Sequence, residues 1–223
     1  DTRNPVFAGA TARAAERAAQ GEPWKDPRAD GLLPDLYIAM GETAENVADA
    51  CGVSRAAQDE FAALSQNRAQ AAIASGFFAR DITPVTLPDG TVVATDDGPR
   101  PGVTAEKLAV LKPVFREHGT VTAGNCCPLN DGAAALVLAS EAKAAELGVT
   151  PLARVVATGV SALSPEIMGL GPVDAVARAL GHAGMTVGDI DLMELNEAFA
   201  AQVLPCIDKI GIDVQKVNVH GGA

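Results

Sequence analysis

The apolar positions of residues 54–76 recur at helical spacing. Ala57, Phe61, Leu64 and Ala72 fall on one side of a helix that Ser54 opens and Gly76 closes. A serine hydroxyl accepts from the first free backbone N–H groups of a helix, and glycine takes the left-handed turn that ends one. The pattern therefore predicts a long helix reaching Ser75. Residues 40–50 read as a shorter helix stopped by Gly52, and residues 7–20, rich in Ala and Arg, have helical propensity. The stretch between them, 21–34, is loop: Pro, Gly and Asp dominate it, and it holds the only tryptophan, Trp24. Two β-rich runs follow, Ile82 to Leu87 and Thr91 to Thr95. Pro88-Asp89-Gly90 separates them, which predicts a hairpin. Residues 96–102 are turn-rich, and 107–111 give a short helix.

The pattern changes near residue 133. Ala133 to Leu138, Ala153 to Val160, Leu192 to Leu195 and Val217 to Val219 are short apolar runs that read as buried strands. Helices alternate with them. Ser140 caps one that reaches Gly148, and Pro172 sits in the first turn of another that runs to Ala183. A third is expected to open at Asn196 and to end or break near Pro205. Strands alternating with helices argue for a layered α/β domain. The first 115 or so residues read as an excursion from its sheet.

Composition narrows the function. The formal net charge is −11, which opposes binding to nucleic acid and to anionic membranes. No apolar run approaches the roughly 18–20 residues of a membrane span. The four cysteines, Cys51, Cys126, Cys127 and Cys206, form no CxxC pair. Neither a disulfide framework nor a metal site is indicated, and a reducing, cytoplasmic setting fits. The chain starts at Asp1 and stops just after a glycine pair at 221–222. Both ends read as cut, so the chain is expected to be a fragment.

Three groups could carry chemistry. Asn196 follows an apolar strand at the kind of strand-to-helix turn where α/β folds hold ligands. Its amide could hold a water beside an oxyanion, or it could simply cap the helix. Cys126 and Cys127 lie in the small-residue segment Thr120–Gly132. They could be a nucleophile or pocket-lining thiols, and no base is evident beside them. Arg100, Lys107 and Lys112, with Arg116 following, could meet phosphates or form a solvated face. The histidines His118, His182 and His220 are scattered. No nucleotide-binding fingerprint is present.

Several stretches together resemble the thiolase family. They are Met40-Gly41-Glu42-Thr43-Ala44-Glu45-Asn46-Val47-Ala48, Ser54 to Ala69, Thr120 to Leu138, Gly169-Leu170-Gly171-Pro172, Asn196-Glu197-Ala198-Phe199-Ala200-Ala201-Gln202 and Asn218 to Ala223. They follow the family's order and nearly its spacing, over essentially the whole chain. The resemblance implies a layered α/β/α/β/α fold, of which this chain is a part. Residues 1–146 would be the later part of the N-terminal domain, with 1–118 mostly the loop domain that covers coenzyme A. Residues 151–223 would begin the C-terminal domain.

The resemblance also implies an acyltransferase that exchanges acyl groups between CoA thioesters through a cysteine thioester. No cofactor is expected beyond the CoA substrates, and a homodimer or homotetramer is expected at full length. A non-catalytic acyl-CoA or lipid-binding relative is the alternative, although such relatives usually alter the Asn-Glu-Ala-Phe stretch that is intact here. Asn196 matches the family's water-holding asparagine, which favours the oxyanion role over the cap. Met40, Arg100, Phe115, Ala123, Cys127, Leu129, Met168, Ala198 and Phe199 match CoA-contacting positions. Cys127 departs from a common serine, and Ala39 from a histidine found in some members. None of the four cysteines matches a catalytic one, and His220 does not match the catalytic histidine. The nucleophile is expected before Asp1 and the histidine after Ala223, so the fragment alone is expected to be inactive.

Overall fold

A computed structural model describes residues 4–130 and 132–222. Asp131 and Ala223, which belong to stretches that carry the resemblance, lie outside the described residues. Most helices form close to the spans expected from local pattern, and the one expected to open at Asn196 starts later. The helices are α1 (Ala8–Ala19), α2 (Met40–Cys51), α3 (Arg55–Ala74), α4 (Ala105–Ala109), α5 (Glu141–Glu146), α6 (Gly171–Ala183) and α7 (Ala200–Ile210). The Ser54 hydroxyl accepts from Ala57 N–H at the start of α3. Gly52 turns left-handed (φ 67°) at the end of α2. Strands β1 (Val85–Thr86) and β2 (Val92–Val93) pair antiparallel across the expected hairpin.

Helix α7 sits at the centre. It packs against α2, α3 and α6. Its Ala200, Val203 and Ile207 join Phe61, Ile212 and Val217 in one apolar cluster. Ala201, on another face, joins Ala44, Ala48 and Val121 in a second. Pro205 lies inside α7 and does not end it. A proline there costs about 3 kcal/mol. Val203, Cys206 and Ile207 on either side are buried, and apolar burial contributes about 1.5–3 kcal/mol for each large side chain. Packing therefore outweighs the lost hydrogen bond.

The expected strands of the second half are not formed. Residues 133–138 and 153–160 carry no ladder, and Leu136, Val137, Val155 and Val156 are exposed. A strand exists only with a hydrogen-bonded neighbour, and the described residues supply none for these runs. Residues 192–195 and 217–219 reduce to one parallel bridge, Met193 to Val217. No helix among the described residues is long and apolar enough to cross a membrane.

Candidate functional site

The helix expected at Asn196 begins four residues later, at Ala200. Phe199 is extended (φ −148°, ψ 135°) and bridges to Cys126. Cys127 N–H donates to Ala198 C=O at 3.0 Å, and Ala200 N–H donates to Asn125 C=O at 2.9 Å. The 125–127 segment thus takes up the start of the helix, and Asn196 caps nothing. It is exposed, and its amide makes no hydrogen bond among the described residues.

Its neighbours are pinned. The Asn218 side chain accepts from Leu195 N–H at 2.8 Å and donates to Leu195 C=O at 2.7 Å. The same amide donates to the Glu197 carboxylate at 2.7 Å. Asn218 is almost fully buried and left-handed (φ 47°), a conformation that asparagine tolerates better than most residues. Ser65 Oγ donates to the other Glu197 oxygen at 2.5 Å.

The 120–127 loop is fixed from α2 and α3. The buried Glu45 carboxylate accepts from Thr120 N–H, Val121 N–H and the Thr120 hydroxyl, at 2.9 to 3.0 Å. The Asn125 amide accepts from Thr122 N–H and donates to Asp59 at 3.0 Å. Asp59 is held in turn by Arg55 at 2.8 Å.

These ties bring some expected site residues together. The Phe115 ring meets the Phe199 ring edge to face, with centroids 6.3 Å apart. It also lies on Gly41, where any Cβ would fall 2.1 Å from the ring, so Met40 is close by. Cys127, Ala198 and Phe199 share the bridged segment, and Ala123 is exposed two residues before Asn125. The others are not gathered. Leu129 is fully exposed, and Met168 projects half-exposed from the Pro165–Leu170 turn. Arg100 is exposed beside α3, its N–H donating to Gln66 and its guanidinium without a partner among the described residues.

The basic cluster divides. Arg116 pairs with Glu42 at 2.7 Å and Asp49 at 2.9 Å. It therefore holds α2 rather than awaiting a phosphate. Lys107 Nζ donates to Gly102 C=O. Burial pushes the Asp49 carboxyl up despite Arg116, and pushes the Arg17 guanidinium down. A cavity of ≈ 710 Å³ lies between α1, α2 and residues 115–120. It is lined by Ala39, Phe115, Arg116 and His118 among others, and Asn196 is not part of it.

The thiols are poorly suited to nucleophilic attack. Burial pushes Cys206 up to about 11 and raises Cys126. No cysteine bonds to a histidine among the described residues. His182 faces Thr158 C=O at 2.9 Å, and His220 stacks on Phe77 at 3.5 Å. Only a thiolate is an effective nucleophile. Cys127 is exposed, and the described residues give it no base.

Sequence reasoning missed Glu45, Asp59, Ser65 and Asn218 as members of the site's frame. Each lies in a stretch that carried the resemblance. Their partners are 66 to 157 residues distant for the first three, and no local pattern encodes such pairings.

Residues 10–142 match the family model for the thiolase N-terminal domain, and residues 149–223 match that for the thiolase C-terminal domain. An acetyl-CoA acetyltransferase of Thiocystis violacea is 52% identical over 218 residues, covering 93% of this chain and 55% of that protein. The dimeric peroxisomal thiolase of Saccharomyces cerevisiae superposes with TM-score 0.82 at 48% identity, covering 83% of this chain and 48% of that one. A human mitochondrial 3-ketoacyl-CoA thiolase in complex with CoA gives TM-score 0.80 at 43% identity, covering 83% and 47%. The chain spans about half the length of the curated relatives it matches.

Proposed function

Because the chain belongs to the thiolase family, we propose that the full-length protein carrying it transfers acyl groups between CoA thioesters. The reaction is thiolytic cleavage of a 3-ketoacyl-CoA, or in reverse Claisen condensation of acetyl-CoA. One observation carries this reading: Asn196 presents an exposed amide without a partner among the described residues, while the residues on both sides of it are pinned. A rigid backbone with an uncommitted amide can hold a water where a thioester oxygen becomes an oxyanion, without reorganising during the reaction. A helix cap would have shown the reverse, a side chain spent on backbone N–H groups. The intact Asn-Glu-Ala-Phe stretch favours the enzyme over a non-catalytic acyl-CoA-binding relative.

In this reading Met40, Phe115, Ala123, Cys127, Leu129, Met168, Ala198 and Phe199 line the path of the pantetheine arm, and Arg100 meets the phosphate end of CoA. The domain boundary falls between residues 146 and 151. The acyl group is carried by a cysteine outside residues 1–223, and the histidine that activates it is also outside. The full-length protein is a homodimer or homotetramer in the cytoplasm. The test is CoA-dependent cleavage of acetoacetyl-CoA, followed by loss of the enolate absorbance. The full-length protein is expected to be active and the isolated 223-residue chain inactive. Thiolysis by the isolated chain contradicts the placement of the nucleophile. A silent full-length protein that still binds acyl-CoA favours the non-catalytic relative.

A further inference from the structure

Building on the reading of Asn196 as an oxyanion-site residue, we infer that Ser65 and Glu197 are positioning residues that link the CoA-covering helix α3 to the asparagine. The Glu197 carboxylate is shared between two elements. One oxygen accepts from Ser65 Oγ on α3, and the other accepts from the Asn218 amide. Ser65 Oγ also accepts from Gly222 N–H at 3.0 Å. Three separate pieces of chain therefore meet on one hydroxyl and one carboxylate: the middle of α3, the Asn196 loop and the 218–222 turn.

The glycine pair shows how tightly they meet. A Cβ on Gly222 would fall 2.2 Å from the Glu197 carboxyl carbon. One on Gly221 would fall 2.7 Å from Ala69 N–H nitrogen and 2.8 Å from Ser65 C=O oxygen. Gly221 is also left-handed, at φ 88°. No other residue lets the turn lie this close to α3 and to Glu197 at once.

The geometry divides the labour around Asn196. Asn218 fixes the backbone of Leu195, before it, through both its N–H and its C=O. Glu197, after it, is fixed through its side chain by Ser65 and Asn218. Asn196 makes no hydrogen bond of its own among the described residues, so its orientation depends on these two anchors. One anchor reaches into α3, whose Gln66, next to Ser65, accepts from Arg100 N–H at 2.8 Å. The segment bearing Arg100 and the segment bearing Asn196 are thus tied to adjacent residues of one helix. A shift of α3 moves both.

The experiment uses the full-length protein with Ser65→Ala, Glu197→Gln and each of these combined with Asn196→Ala. Neither Ser65 nor Glu197 touches substrate in this account, so a KM for acyl-CoA within about two-fold of wild type is expected while kcat falls about ten-fold. In the Asn196→Ala background the same substitutions are expected to lower kcat by less than about two-fold, because the group they orient is gone. Wild-type kcat in both single variants overturns the proposal, and so do losses that multiply in full on top of Asn196→Ala. Ser65→Ala only deletes a hydroxyl, which guards against a variant that fails to fold, and circular dichroism melting reports on that separately. If Asn196→Ala itself leaves kcat unchanged, the oxyanion reading fails first, and the proposal falls with it.

Discussion

Replacing Asn196 with alanine in the full-length protein is expected to lower kcat by about 10²–10³-fold while leaving KM for the acyl-CoA nearly unchanged. The side chain is exposed and bonds to nothing in the described chain. Removing it should therefore cost little stability. Its value arises only when charge develops on a thioester oxygen. A donor fixed beforehand stabilises that charge without reorganisation, and the loss of one such donor is worth about 2.7–4 kcal/mol in the transition state. Steady-state kinetics with acetoacetyl-CoA and CoA, beside a denaturation curve, separates the two effects. An unchanged kcat removes Asn196 from the reaction. A fall in kcat accompanied by an equal loss of stability makes it a structural residue.

The largest effect on stability is expected from Glu45→Ala. The carboxylate is buried on α2, and it accepts from two backbone N–H groups and one hydroxyl of Thr120 and Val121. Val121 is fully buried, so water cannot replace the acceptor of its N–H, whereas Thr120 is partly exposed and borders the ≈ 710 Å³ cavity. A stranded buried donor costs about 1–3 kcal/mol, and with smaller losses at the two Thr120 donors the protein should be destabilised by about 2–4 kcal/mol. Glu45→Gln should recover only part of this, because one of its two terminal atoms becomes a donor facing donors. Urea unfolding of the full-length variants checks both values. A change below about 1 kcal/mol for Glu45→Ala means that water or another group satisfies the 120–121 backbone.

Helices were legible because their signals are local. Ser54 and Gly52 lie within a turn of the helix ends that they define, and Pro172 within the first turn of α6. The apolar runs 133–138 and 153–160 were legible as strand-like but not as paired. Pairing depends on chain outside the run, and the described residues provide none. Asn196 shows the limit most clearly. Its sequence context suits a helix N-cap, yet the helix starts at Ala200 because residues 125–127 bond to Ala198 and Ala200 from more than 70 positions away. The basic residues failed in a similar way. Arg116 stands near Arg100 and Lys112 in sequence, but Glu42 and Asp49 on α2 claim it. The family resemblance reached further than periodicity did, because it carries the outcome of such distant pairings without explaining them.

The most direct test of the central claim is to trap the acyl-enzyme. The full-length protein is mixed with acetoacetyl-CoA or acetyl-CoA, quenched in acid and digested, and the acetyl thioester is located by mass spectrometry. The account predicts an acetylated cysteine outside residues 1–223, with Cys51, Cys126, Cys127 and Cys206 unmodified and with slower formation of the thioester in Asn196→Ala. An acetyl group on Cys126 or Cys127 would contradict it, and would place the nucleophile inside the segment read here as pocket lining.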